Sequence, residues 1–219
     1  MDHERLKARQ RAERHAHHPN LALRVHRALS WLHRAEQLES GGDPDGQFLF
    51  LWIAFNAAYA TEIDERYRLS EQDTFRQFLQ KLTELDAGRK RFDALVWQEF
   101  PSSIRVLLDN PYVFADFWRF HNGTLPEADW KRNFEAANRA AHRALGRLDT
   151  VTVLGVVLSR IYTLRNQLVH GGATWNSSVN REQVRDCTSL MAKLVPLVIE
   201  VMLDHPDALW GDAVWPVVT

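Results

Sequence analysis

The run FLFLWIAFNAAYA, Phe48 to Ala60, is the stretch that most restricts what this chain can become. It is 13 residues long, carries no charge, and holds one amide, Asn56. A bilayer-spanning helix needs about 20 apolar residues, so this run is too short to cross a membrane. As a helix it is apolar on nearly all sides, and such a helix must be enclosed by others. The rest of the chain therefore has to supply enclosing helices, and the amide of Asn56 has to find a partner among them, because an unpartnered buried amide costs about 1–3 kcal/mol.

The remaining sequence offers those helices. Apolar residues recur at i, i+3, i+4 and i+7 almost everywhere, and strand alternation is scarce. In "NLALRVHRALSWLHRAEQL", Leu21, Val25, Ala28 or Leu29, and Leu32 share a face, and Ser40-Gly41-Gly42-Asp43-Pro44 ends the helix with turn residues. The apolar helix follows from about Gly46 to Arg66. Phe75, Phe78, Leu79 and Leu82 line one side of the next helix, with Ser70 or Asp73 as its cap. Pro101 and Pro111 divide a stretch of shorter helices. "HNGTLPEAD" is a loop, and Trp130 to Arg147 is again helical. The strongest elements come last: a helix capped by Asp149 or Thr150 and stopped by Gly171-Gly172, then Arg181 to about Asp204, with Pro196 expected to kink it. The tail "DALWGDAVWPVVT" is apolar enough to pack back on the body. The expected architecture is all-α, an antiparallel helical bundle. Residues 1–18 form a flexible basic, His-rich leader, 19–219 a single domain, and about 70–145 a helical insertion.

Composition narrows the function classes. The chain is 45% hydrophobic with 8 Trp and 11 Phe, enough for a large core. A formal net charge of −1 gives no whole-protein field for nucleic acid, but residues 1–34 hold eight Lys or Arg against three Asp or Glu, with six of the ten His. That segment reads as a solvated leader or as an arm touching nucleic acid. The single cysteine, Cys187, excludes a disulfide framework and a cysteine-based zinc site, and points to a reducing cytoplasm. No secretory signal precedes the first helix, so a soluble protein is expected.

The chemically suggestive stretch is "YTLRNQLVHGG", Tyr162 to Gly172. At ~100° per residue, with Leu154 at zero, Leu158, Ile161, Leu168 and Val157 fall within about 60° of it, and Arg165 falls near 20°. An arginine within an apolar stripe needs a partner or a cavity. His170 falls near 160°, on the face of Ser159, Thr163 and Asn166, and about 7.5 Å further along the axis than Arg165. The two can converge only if the helix loosens at its end, or if a second copy of the chain brings in another pair. Cations near a helix C-terminus also suit its partial negative charge without any catalytic role.

"LRNQLVHGG" resembles the R-x4–6-H signature of the HEPN superfamily, with Arg165, the polar Asn166 directly after it, and His170. "FLFLWIAFNAAYA" is similar to the early core helix of ApeA-like HEPN proteins, with Asn56 close to the position of its polar residue. Together the two segments cover about a fifth of the chain. The resemblance implies a metal-independent endoribonuclease that acts as a homodimer, two motifs facing each other across a shared cleft. It also implies RNA as substrate, no cofactor, and a toxin or phage-defence role with an antitoxin or regulatory protein as a possible partner. Some HEPN domains lack activity and serve as RNA-binding or dimerisation modules, which is the alternative reading. The residue types suit RNA cleavage: His170 can act as base or acid, Arg165 can hold phosphate oxygens, and Asn166 can orient either substrate or histidine.

Other candidates stand beside the motif. Asn56 can support it from a neighbouring helix, or only hydrogen-bond within the core. Trp175, in the loop after the motif, can line the cleft; Trp52, Trp97, Trp118 and Trp130 sit in helical apolar patterns and read as core. "HAHH", His15 to His18, lacks a cysteine or spaced carboxylate and reads as surface rather than metal site. "GGDPDG" lacks the twelfth-position Glu of a calcium loop and reads as a turn. No Walker lysine follows "GGATW", and no G-x-S-x-G elbow is present.

Overall fold

Capping chemistry places the helices where periodicity puts them. In a computed structural model describing residues 2–60 and 71–213, backbone alone at 71–74, there are ten α-helices and no strand. They are α1 Asp2–Glu13, α2 Pro19–Ser40, α3 Pro44–Tyr59, α4 Glu71–Leu85 and α5 Arg91–Ala94, then α6 Pro101–Asp109, α7 Ala115–His121, α8 Glu127–Gly146, α9 Thr150–Val169 and α10 Arg181–Asp204. Pro44 and Pro101 occupy first-turn positions, where a missing N–H costs nothing. The carboxylates of Asp43 and Asp149 each accept a backbone N–H, from Gly46 and Thr152, both at 3.0 Å. Gly42 at φ +70° ends α2 in the left-handed turn expected of "GGDPDG". The cap proposed at Ser70 lies outside the described residues, whereas Asp73 falls inside α4 and does not cap it. Helix α3 stops at Tyr59, short of the expected Arg66, because the backbone is already extended at Ala60. Pro196 sits inside an unbroken α10.

The chain forms two compact units. The first draws on the described parts of residues 1–70, 84–89 and 180–219. In it α1 packs on α2 and α10, α2 on α3, and α3 on α10. Phe48, Leu51, Trp52, Ala54 and Phe55 of α3 are all buried, so the apolar run is enclosed as its composition requires. Helix direction is mixed rather than alternating. Arg5 bonds Glu200 and Arg9 bonds Asp204, so α1 runs parallel to α10. Arg181 makes a two-pronged ion pair with Asp45 at 3.1 and 3.0 Å, so α10 starts where α3 starts. Only α2 opposes the other three, with His3 beside Glu36 and Lys7 beside His26.

Two expectations change here. Residues 2–18 are not a loose leader. Leu6 is fully buried, and two of the basic residues that made the segment look solvated, Arg5 and Arg9, are held by carboxylates of α10. The inserted region is also longer than 70–145. The second unit comprises 71–83 and 90–179, so α9 falls within it. There α9 packs on α6, α8 and the 3₁₀ turn Pro111–Val113, and α8 also packs on α6 and α7. The tail returns as expected in its described part: Trp210 is buried, and its indole N–H donates to the His205 carbonyl at 3.1 Å.

Among the described residues no helix is long and apolar enough to cross a membrane. Cys187 is buried, and burial pushes its thiol pKa up, which keeps it an unreactive core residue.

Candidate functional site

The motif lies on the last turn and a half of α9. Val153, Leu154, Val157, Leu158, Ile161 and Leu164 form the buried stripe. Arg165 follows this stripe by one residue and is half-buried; its Nη1 donates to Asn166 Oδ1 at 2.8 Å. Its guanidinium also lies 5.9 Å from the Tyr162 ring centre, the outer limit of a cation–π contact. The partner that the apolar stripe demanded is thus the next residue of the motif itself. Arg165 escapes full burial because the core ends at Leu164.

His170 is the C-cap of α9. Its backbone N–H donates to the Asn166 carbonyl at 3.0 Å, and its exposed imidazole makes no side-chain hydrogen bond among the described residues. Gly171 takes φ +71°, a conformation glycine adopts without strain. Its N–H donates to Leu168 at 3.2 Å and that of Gly172 to Gln167 at 2.7 Å, the paired bonds of a Schellman stop. The two glycines therefore do end the helix, as their position suggests. The Gln167 amide donates to the Tyr112 carbonyl at 2.6 Å, which also accepts the Trp118 indole at 2.7 Å, tying the motif turn to the segment before α7.

Around the stop three apolar side chains are exposed: Val169 at 51%, Trp175 at 73% and Val179 at 67%. The motif residues and Trp175 belong to the second unit, whereas Asn56 belongs to the first. Asn56 is half-buried and makes no side-chain hydrogen bond among the described residues, so the expected interhelical bond is not formed. Its run is less enclosed on that side than a uniformly apolar helix implies. Of the four tryptophans expected in the core, only Trp52 is fully buried. Trp97 and Trp118 are half-buried, with their indole N–H groups donating to Thr150 Oγ1 and the Tyr112 carbonyl, and half-buried Trp130 joins a ring cluster with Phe117 and Phe120.

One residue escaped the sequence reading. Arg160, also on α9, is only 3% exposed. Its guanidinium carbon lies 4.5 Å from the Phe114 ring centre and 5.4 Å from that of Phe134. Its Nη2 reaches the Leu108 carbonyl and Asn138 Oδ1, each at 3.5 Å, the far limit of a hydrogen bond. Its Nε has no partner. Burial lowers its pKa to about 10, still charged at neutral pH. Arg160 falls about 120° from Leu154 on the wheel, outside the stripe, and is buried because α9 is packed on more than one side. The available signal was a charged residue flanked by Leu158, Ser159 and Ile161, in a helix whose one other charged residue is Arg165.

Beside Arg160 runs a cleft of about 480 Å³, bordered by the small residues Gly155 and Ser159 of α9, Ala137 and Ala140 of α8, and Phe114. Among the described residues no group of three His, Cys, Asp or Glu is placed to hold a metal ion. No family model matches this chain, and neither the curated proteins nor the solved structures include a significant match to it.

Proposed function

We propose that this protein is a HEPN-type endoribonuclease, acting as a homodimer in which two copies of the Arg165–Asn166–His170 motif share a cleft. The observation that carries this reading is the pairing at the end of α9: Arg165 is held by the residue beside it, while His170 stands exposed on the Schellman stop. Arg165 keeps most of its five donors for phosphate oxygens. The 2′-oxygen of RNA attacks the adjacent phosphorus and its proton passes to one imidazole. The bond from phosphorus to the 5′-oxygen breaks, and that oxygen takes a proton from the second imidazole. Each chain has one such histidine, so the second comes from the other copy. Exposed Val169, Trp175 and Val179 supply apolar surface for the meeting of two copies, and Trp175 can stack on a base. In a cell such an enzyme needs restraint, and an antitoxin-like partner fits a toxin or phage-defence role.

A second reading, an inactive RNA-binding or dimerisation module of the same superfamily, is favoured by one observation. Nothing among the described residues orients the His170 ring, which general acid–base work requires. Cleavage of a mixed-sequence RNA in excess chelator separates the two. The parent cuts, His170→Ala is slower by about 100-fold or more, and Arg165→Ala loses a similar factor. Equal rates for parent and His170→Ala would remove the catalytic assignment. RNA binding without cutting would establish the second reading.

A further inference from the structure

Two buried arginines in this chain are treated very differently. Arg24, fully buried on α2, donates to the carbonyls of Ala58 at 3.0 Å, Ala60 at 2.7 Å, Gly211 at 3.3 Å and also Asp212. Four of its five guanidinium donors are taken by backbone oxygen. Among the described residues, Arg160 has two bonds at 3.5 Å, an unpartnered Nε and no carboxylate within ion-pair distance. A buried cation so poorly satisfied is costly, and a chain that can wrap Arg24 can evidently wrap an arginine. The deficit around Arg160 sits beside a cleft, and the cleft is where a missing anion would go.

The cleft has features of its own that point the same way. Gly155 lies in the interior of α9, where alanine would make a more stable helix. A Cβ built there meets nothing within 4 Å, so no neighbour requires the glycine. It faces the same cleft as Arg160, whose walls are lined by Ala115, Ala137 and Ala140. Small residues on both sides hold space open at the expense of packing. The lining is mostly apolar, with Thr152, Ser159 and Thr163 as neutral polar residues, the Thr163 hydroxyl donating to the Ser159 carbonyl at 3.2 Å, and Arg76 as a second cation. The one carboxylate bordering it among the described residues, Asp116, is held by Arg119 at 3.0 Å and Asn133 at 2.7 Å, and Asp109, whose charge Arg160 feels, is held by Asn138 and His142.

We propose that this cleft is a binding site for a small organic anion, a carboxylate or phosphate monoester on an apolar body, with its head group completing Arg160. The apolar body lies over Gly155 between α8 and α9, and the oxygens take the guanidinium donors that no protein group satisfies. The site does not depend on the ribonuclease reading, since none of the motif residues lines it.

Isothermal titration of the whole chain tests this with three probes: 4-phenylbutyrate, phenyl phosphate and the neutral 4-phenylbutanol. At least one anion binds saturably, and at least tenfold more tightly than the alcohol; which anion wins tells carboxylate from phosphate. Arg160→Met removes that preference. Gly155→Leu fills the cleft and abolishes binding of all three, with the circular dichroism spectrum of each variant confirming the fold. RNA cleavage by the parent is measured in parallel, so failure of one assignment is distinguishable from failure of the other. Saturable binding of neither anion by roughly 10 mM, equal affinity for the alcohol, or unchanged binding by a folded Gly155→Leu would overturn the proposal.

Discussion

Arg24 and Arg160 should answer oppositely to the same substitution. In Arg24→Met, the carbonyls of Ala58, Ala60, Gly211 and Asp212 lose their donor, and the end of α3 and the returning tail lose their common anchor. A loss of about 2–4 kcal/mol is expected, read as a lowered urea midpoint. Arg160→Met removes a cation with two long bonds and puts a flexible apolar side chain between Phe114 and Phe134. Its stability should stay within about 1 kcal/mol of the parent or rise. Equal losses at the two sites would show that Arg160 is better satisfied than its geometry indicates. The pair also shows what sequence can reveal at this scale. Both arginines sit in amphipathic helices, and nothing in their spacing tells which is wrapped by carbonyls brought from 34 or 187 residues away.

At the scale of elements, α1 holds the clearest test. His3 and His26 both have pKa values lowered from 6.5, by burial first, and then by His33, Lys7 and Arg11 around His3 and by Lys7, Arg14 and Arg27 around His26; Glu4 opposes the effect at His3. A lowered histidine pKa means that the unfolded chain binds protons more readily. Stability is therefore unaffected well above pH 6.5 and falls as pH drops through 6.5 toward the lowered folded values. Urea midpoints at about pH 7.5 and 5.5 should differ, and His3→Gln with His26→Gln should shrink the difference. Removing residues 2–13 should lower the midpoint at both pH values, because Leu6 and the ion pairs to Glu200 and Asp204 go with them. A truncated chain as stable as the parent would restore the picture of a loose leader. Helix existence and most boundaries were legible in the sequence, because caps such as Asp43 and Asp149 and stops such as Gly171 act locally. The packing of α1 was not. Its charges look solvated until the carboxylates of α10, about 195 residues later, are placed beside them. At the candidate site the helix stop was readable from "VHGG"; the partner of Arg165 was its own neighbour, which a wheel drawn for distant contacts does not consider.

For the molecule as a whole, the proposed function makes assembly the decisive property. Sedimentation should give the mass of two chains at micromolar concentration, and Val169→Glu, on an exposed residue beside His170, should shift it toward one and lower RNA cleavage together with it. A parent that sediments as one chain and still cuts RNA would place both histidine roles within a single copy. Chain connectivity carries a separate consequence. The first unit is interrupted after α3, which ends at Tyr59, and apart from residues 84–89 it is completed by α10, which begins at Arg181. Joining those ends across an unstructured segment of that length would cost roughly 4 kcal/mol in loop closure. If the second unit folds first, fewer residues of that segment remain free and the closure cost falls. The apolar run of α3 has no lasting cover until α10 has left the ribosome. Refolding should then proceed in two phases, the inserted unit early and the enclosing helices late, with the tryptophan at position 52 reporting the slow one.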